Sequence, residues 1–113
     1  MAKDDYFVLA YRILSYLYAC LKADTQPDME RLACGTKDFP IQREYWEYIF
    51  RHLSLDGYLE GVMIIPMAGE CPDRVKIGQL QITPKGIAYL QENTMMQKAK
   101  DFLKEIKEIV SGL

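Results

Sequence analysis

One stretch limits the possible folds more than any other. Between Tyr6 and Leu21, apolar residues recur at helical spacing twice over: Tyr6, Leu9, Ile13, Tyr16, Leu17 and Cys20 form one set. Phe7, Ala10, Tyr11, Leu14, Tyr18 and Leu21 form the other. A helix packed on one side needs an apolar stripe roughly 100° wide, and this one is apolar nearly all round. Whatever fold the chain adopts must therefore cover its first helix from more than one direction. Asp4 or Asp5 supplies the N-cap.

The remaining sequence must provide that cover within 113 residues, the length of one core. Asp24 to Pro27 reads as a turn. Asp28 then caps a short second helix through Met29, Leu32 and Ala33 that stops at Gly35. Trp46, Ile49, Phe50 and Leu53 mark a third helix that starts near Arg43. Ile41 is placed to staple against Trp46 across that start, although Gln42 is a poor N-cap. Asp56-Gly57-Tyr58 fits a Schellman stop, with Gly57 left-handed and Tyr58 folding back toward Leu53. Two β-like runs follow, Tyr58 to Ile65 and Val75 to Thr83, separated by Pro66, Gly69 and Pro72. The apolar phase shifts in the second run, and a one-residue bulge at Gly78 would account for it.

Thr83-Pro84 opens a short helix carrying Ile87, Ala88 and Leu90, and Asn93 permits a break. Thr94-Met95-Met96-Gln97 then reads as a capping box for a last helix ending at Gly112. Its stripe of Met95, Ala99, Phe102, Leu103, Ile106, Ile109, Val110 and Leu113 is wider than a coiled-coil seam. That width suits packing against a domain surface, with the first helix as acceptor. Phe7, Tyr11, Leu14 and Tyr18 on one side and Phe102, Leu103, Ile106, Ile109 and Val110 on the other are the expected packing or dimerisation residues. The pattern leaves open whether the docking is within one chain or across a homodimer.

Helix, short helix, helix, hairpin, helix is the order of a winged helix-turn-helix. The expected fold is α+β, mainly α: a three-helix core and β-hairpin wing over residues 1–93, with an added C-terminal amphipathic helix over 94–113. Three segments carry a closer likeness. They are Tyr11-Arg12-Ile13-Leu14-Ser15-Tyr16-Leu17-Tyr18, then Glu44-Tyr45-Trp46 leading to Leu55-Asp56-Gly57-Tyr58, and finally Ile82-Thr83-Pro84-Lys85-Gly86-Ile87-Ala88-Tyr89-Leu90-Gln91-Glu92-Asn93. Together they resemble the YjcQ-like family of small bacterial and prophage proteins. That resemblance implies the winged-helix fold and a phage-linked bacterial setting, and supplies only an analogy for function.

Composition narrows the function classes. No apolar run approaches the roughly 20 residues that span a bilayer, and no signal-peptide core follows Met1 to Asp5, so a cytoplasmic protein without a membrane partner is expected. Three widely spaced cysteines and the single histidine, His52, give neither a disulfide framework nor a zinc site, and no cofactor is expected. Cys20 reads as a core residue and Cys71 as an exposed thiol. No nucleophile–base pair or phosphate-cradling loop accompanies His52, so the expected protein is not an enzyme.

The expectation is instead a prophage-associated DNA-binding or transcription-regulatory homodimer. Gln42, Arg43, Glu47 and Arg51 on the third helix, Arg74 and Lys76 on the hairpin, and Lys85 are the candidate contacts to double-stranded DNA. Charge weighs against strong binding. The net charge is −2, and Arg43, Glu47 and Arg51 lie four apart on one face, where the acid can pair with either arginine. The alternative is a module that uses the same fold to bind a phage or host protein without nucleic acid.

Overall fold

The computed structural model describes residues 1–108. Helix α1 runs Tyr6–Lys22, and α2 runs Arg43–Leu55 after a single 3-10 turn at Met29–Leu32. Strands β1 (Leu59–Ile65) and β2 (Arg74–Ile82) form an antiparallel hairpin, followed by α3 (Pro84–Glu92) and α4 (Thr94–Glu105). The protein is thus α+β and mainly helical, in a layout compatible with a winged helix.

The all-round apolar first helix is surrounded as its sequence requires. Every residue from Val8 to Ser15 is buried, and α1 touches α2, α3, α4 and β2. Asp5 is its N-cap, accepting from the Phe7 amide at 2.9 Å. Leu9, Ile13, Leu17, Ile49, Phe50, Leu53, Leu59, Ile82, Leu90, Met96 and Leu103 belong to one buried cluster to which all the helices and both strands contribute.

The second helix is shorter than expected. Met29–Leu32 makes only one 3-10 turn, and Ala33 is already extended at ψ 143°. Asp28 caps it as anticipated, accepting from the Glu30 amide at 3.0 Å. The physical reason is length: between Pro27 and the left-handed Gly35 (φ 79°) too few residues remain to propagate an α-helix. Side chains hold the turn in place, because the Trp46 indole donates to the Leu32 carbonyl at 2.7 Å and the Asp28 amide donates to the Tyr16 hydroxyl at 2.8 Å.

The Schellman stop after α2 is present. Gly57 has φ 84°, its amide bonds to the Ser54 carbonyl at 3.0 Å, and that of Tyr58 bonds to Leu53 at 2.9 Å. Thr83 then joins this stop to the start of α3. Its hydroxyl donates to the Gly57 carbonyl at 2.6 Å, while the same oxygen accepts from the Gly86 amide at 3.0 Å. The Tyr58 and Tyr89 rings stack at 4.1 Å across the joint.

The hairpin irregularity is larger than a one-residue bulge. Glu60 pairs with Gln81 and Val62 with Ile77, so Gly61 alone lies opposite Gly78, Gln79 and Leu80. Gly61 has φ 91°, and a Cβ there would run into the Gln79 carbonyl. The glycine that admits the extra residues is thus the one on β1.

Two expectations about α4 are corrected. Its cap is Asn93, whose carbonyl oxygen accepts from the amides of Met95 (2.9 Å) and Met96 (3.3 Å). Gln97 does not complete a capping box; its amide group donates to the carbonyls of Leu90 (3.2 Å) and Gln91 (2.9 Å). A short polar side chain at the break reaches the free amides directly, so Asn93 takes the place assigned to Thr94. The helix also ends at Glu105 and does not continue to Gly112. Lys107 turns left-handed (φ 58°), and the Glu108 amide bonds back to Leu103 at 2.9 Å. The Glu108 side chain reaches Lys3 at 3.0 Å, which favours that reversal. Ile109, Val110, Gly112 and Leu113 lie outside the described residues.

Candidate functional site

The face shared by α2 and the hairpin tip is organised by one carboxylate. Glu47 is only 5% exposed, although helical periodicity places it with solvent-facing residues. Its Oε1 accepts from the Val75 amide at 2.7 Å and from Arg74 Nε at 3.0 Å, and its Oε2 accepts from Arg43 Nε at 3.0 Å. Burial on its own raises the pKa of this carboxyl. The bonds from Arg74, the Val75 amide and Arg43 outweigh that effect and leave it below its ordinary value. One turn further on, Arg51 Nη1 donates to the Asp73 carbonyl at 3.0 Å and its guanidinium lies over the Tyr48 ring at 5.8 Å.

Between α2 and the tip lies a groove of about 780 Å³, walled by Tyr45, Tyr48, Met67 and Pro72, with the three arginines along it. Cys71 is exposed at the tip, as its sequence context suggested, and Cys20 is buried in α1. On the outward side of the hairpin, Met63 pairs with Lys76 and Ile65 with Arg74. All four are exposed, because they alternate with inward-facing Val62, Ile64, Val75 and Ile77.

A family model described as YjcQ protein matches residues 11–109. The chain belongs to the YjcQ protein family. All three segments that carried the resemblance fall within the matched span. No curated protein and no solved structure matches it.

In this YjcQ protein the candidate DNA contacts do not form one surface. Arg43, Glu47, Arg51 and Arg74 are brought together, with exposed Gln42 at the N-terminal edge. Lys76 stands on the adjoining outward face of the hairpin. Lys85 is at the other end of α2, where its side chain passes Gly57 and its Nζ lies 5.6 Å from the Tyr58 ring centroid. A 13-residue helix is about 20 Å long, which separates Lys85 from Arg43 by most of that distance. Glu47 itself is not a surface contact: it is a buried acceptor that neutralises two of the arginines expected to meet phosphate.

Helix α4 contacts α1 of the same chain. Among the expected packing residues, Tyr11, Leu14 and Leu103 are buried, Phe7, Tyr18 and Phe102 half-buried, and Ile106 exposed. Met96 and Ala99, both fully buried, complete α4's inner face; their spacing of three and four from Leu103 back to Met96 was visible in the sequence. His52 packs its ring 4.3 Å from that of Tyr48. Among the described residues no helix is long and apolar enough to cross a membrane.

Proposed function

We propose that this YjcQ protein is a non-catalytic winged-helix regulator, prophage-associated and cytoplasmic, that engages double-stranded DNA as a homodimer. In this reading the N-terminal half of α2 meets the major groove and the hairpin meets flanking phosphates. The observation that carries the reading is the meeting of helix and hairpin cations in one patch: Arg43 from α2 and Arg74 from β2 share a single carboxylate, with Arg51 one turn away. Both paired arginines keep more than half of their side-chain surface exposed, which leaves N–H groups directed outward.

Because Glu47 cancels part of this charge, binding is expected to be weak and sensitive to salt. Fluorescence anisotropy with generic and phage-derived duplexes at low salt tests it, with light scattering reporting the dimer. Arg43→Ala and Arg51→Ala should each lower affinity by roughly threefold to tenfold, and the salt slope should correspond to only a few phosphates. Absence of binding at low salt, or affinity indifferent to both substitutions, overturns the reading.

A second reading, a protein-interaction module, is favoured by the apolar character of the same region. Tyr48, Met63, Ile65 and Met67 are each 43–51% exposed around the groove and hairpin, an unusual concentration for a surface that meets only phosphates and bases. Under this reading, copurification with a phage or host protein depends on Tyr48 and Met67 and not on Arg43.

A further inference from the structure

The hairpin is a two-stranded sheet, so a strand edge is left beyond β2. Backbone donors and acceptors on such an edge need partners when they lie against the body of a protein. At the start of β2 they find them on α2. The Asp73 carbonyl accepts from Arg51 and the Val75 amide donates to Glu47. Residues two apart on an extended chain project to the same side, and residues four apart on a helix lie one above the other. An Arg and a Glu at that spacing therefore offer a donor and an acceptor to one strand edge, as a neighbouring strand would. Arg74, lying between the two bonded residues, closes on the same carboxylate at 3.0 and 3.2 Å.

We propose that Glu47 and Arg51 act as a latch in place of a third strand, fixing the hairpin tip to α2 and thereby controlling whether Arg74 is neutralised or free. The latch is a property of the fold and holds whether the face receives DNA or protein. Latched, the patch is close to neutral, since Arg43, Arg51 and Arg74 are matched by Glu44, Glu47 and Asp73. Unlatched, the hairpin carries Arg74 away from Glu47, which stays on α2 with Arg43. Within the tip itself the Met67 amide meets Asp73 Oδ1 at 3.4 Å.

Trypsin tests the latch directly. The bond after Arg74 joins the side chain and the amide that Glu47 holds, so cleavage there requires both to let go. Limited proteolysis of the full-length protein and of Glu47→Gln, followed by mass spectrometry, should show cleavage after Arg74 accelerated by about tenfold or more in the variant. Cleavage after Lys76 provides an internal reference and should accelerate less. Equal rates after Arg74 in the two proteins overturn the proposal.

A measurement on the unsubstituted protein keeps it falsifiable if the variant fails to fold. The charged groups facing Glu47 are Arg43, Glu44 and Arg51 from α2 and Asp73 and Arg74 from the hairpin. Because the Glu47 pKa is depressed, the latch should stay closed through neutral pH and open only as pH falls below the ordinary glutamate value of about 4.3. After correction for intrinsic exchange, Val75 amide protection should fall in that range while the amides of α1 keep theirs. Val75 protection that persists until α1 also opens contradicts the latch.

Discussion

Tyr11 carries a hydroxyl into the core without a hydrogen-bond partner among the described residues. Burial, with a smaller contribution from the nearby Asp101 carboxylate, pushes its pKa up to about 12, so the group stays neutral and its whole effect is one of desolvation. A buried hydroxyl left unpaired costs about 1–3 kcal/mol relative to a paired one. Tyr11→Phe should therefore leave stability unchanged or raise it by up to about 1 kcal/mol, where removal of a bonded hydroxyl lowers it. Urea unfolding of the two proteins decides the point, and a loss above about 1 kcal/mol would show that the oxygen has a partner. Glu47 is the opposite case, a buried polar group with all its acceptor capacity engaged.

At the scale of elements, the helix ends separate what neighbours along the chain decide from what distant residues decide. Asn93 rather than Thr94 caps α4, so Asn93→Ala should cost about 1 kcal/mol and Thr94→Ala only a few tenths. Thermal melts with the reverse ranking would restore the capping box. Asp28, Gly57 and Thr83-Pro84 were readable in advance because a cap is a contract among residues within about five positions of one another. The hairpin was readable from its β-like runs and the prolines and glycine between them, and the encirclement of α1 from periodicity. Glu47 was not. Its partners Arg74 and Val75 are 27 and 28 positions away, and the local pattern, an acid four residues from an arginine on each side, describes an exposed ion-paired face equally well. The extent of the hairpin irregularity was hidden for a similar reason: the phase shift in β2 was visible, but the residue accommodating it, Gly61, sits on the other strand.

The whole molecule depends on α4 staying in place. Met96, Ala99 and Leu103 are completely buried, and α4 contacts both α1 and α3. Burying large apolar side chains is worth roughly 1.5–3 kcal/mol each, so losing α4 approaches the roughly 5–15 kcal/mol that stabilises a small domain. Deleting residues 95–113 should therefore abolish the cooperative melt or cause aggregation, and not merely release a soluble monomer. Calorimetry and light scattering on both forms check this. A truncated protein with an unchanged melting temperature would mean that α4 is an appendage.

The two hydrogen bonds that the Thr83 hydroxyl makes, to Gly57 and from Gly86, have an evolutionary consequence. They close the neck of an excursion that leaves the body at residue 57 and re-enters it at 83, so the entry and exit points are fixed to each other before the far end is specified. Lengthening such a loop adds little entropy cost, about 0.6 kcal/mol per doubling. Residues 66–72, all exposed, form its outermost part. Lineages can therefore rewrite that segment in length and chemistry while inheriting the rest unchanged, and homologous chains should differ most there.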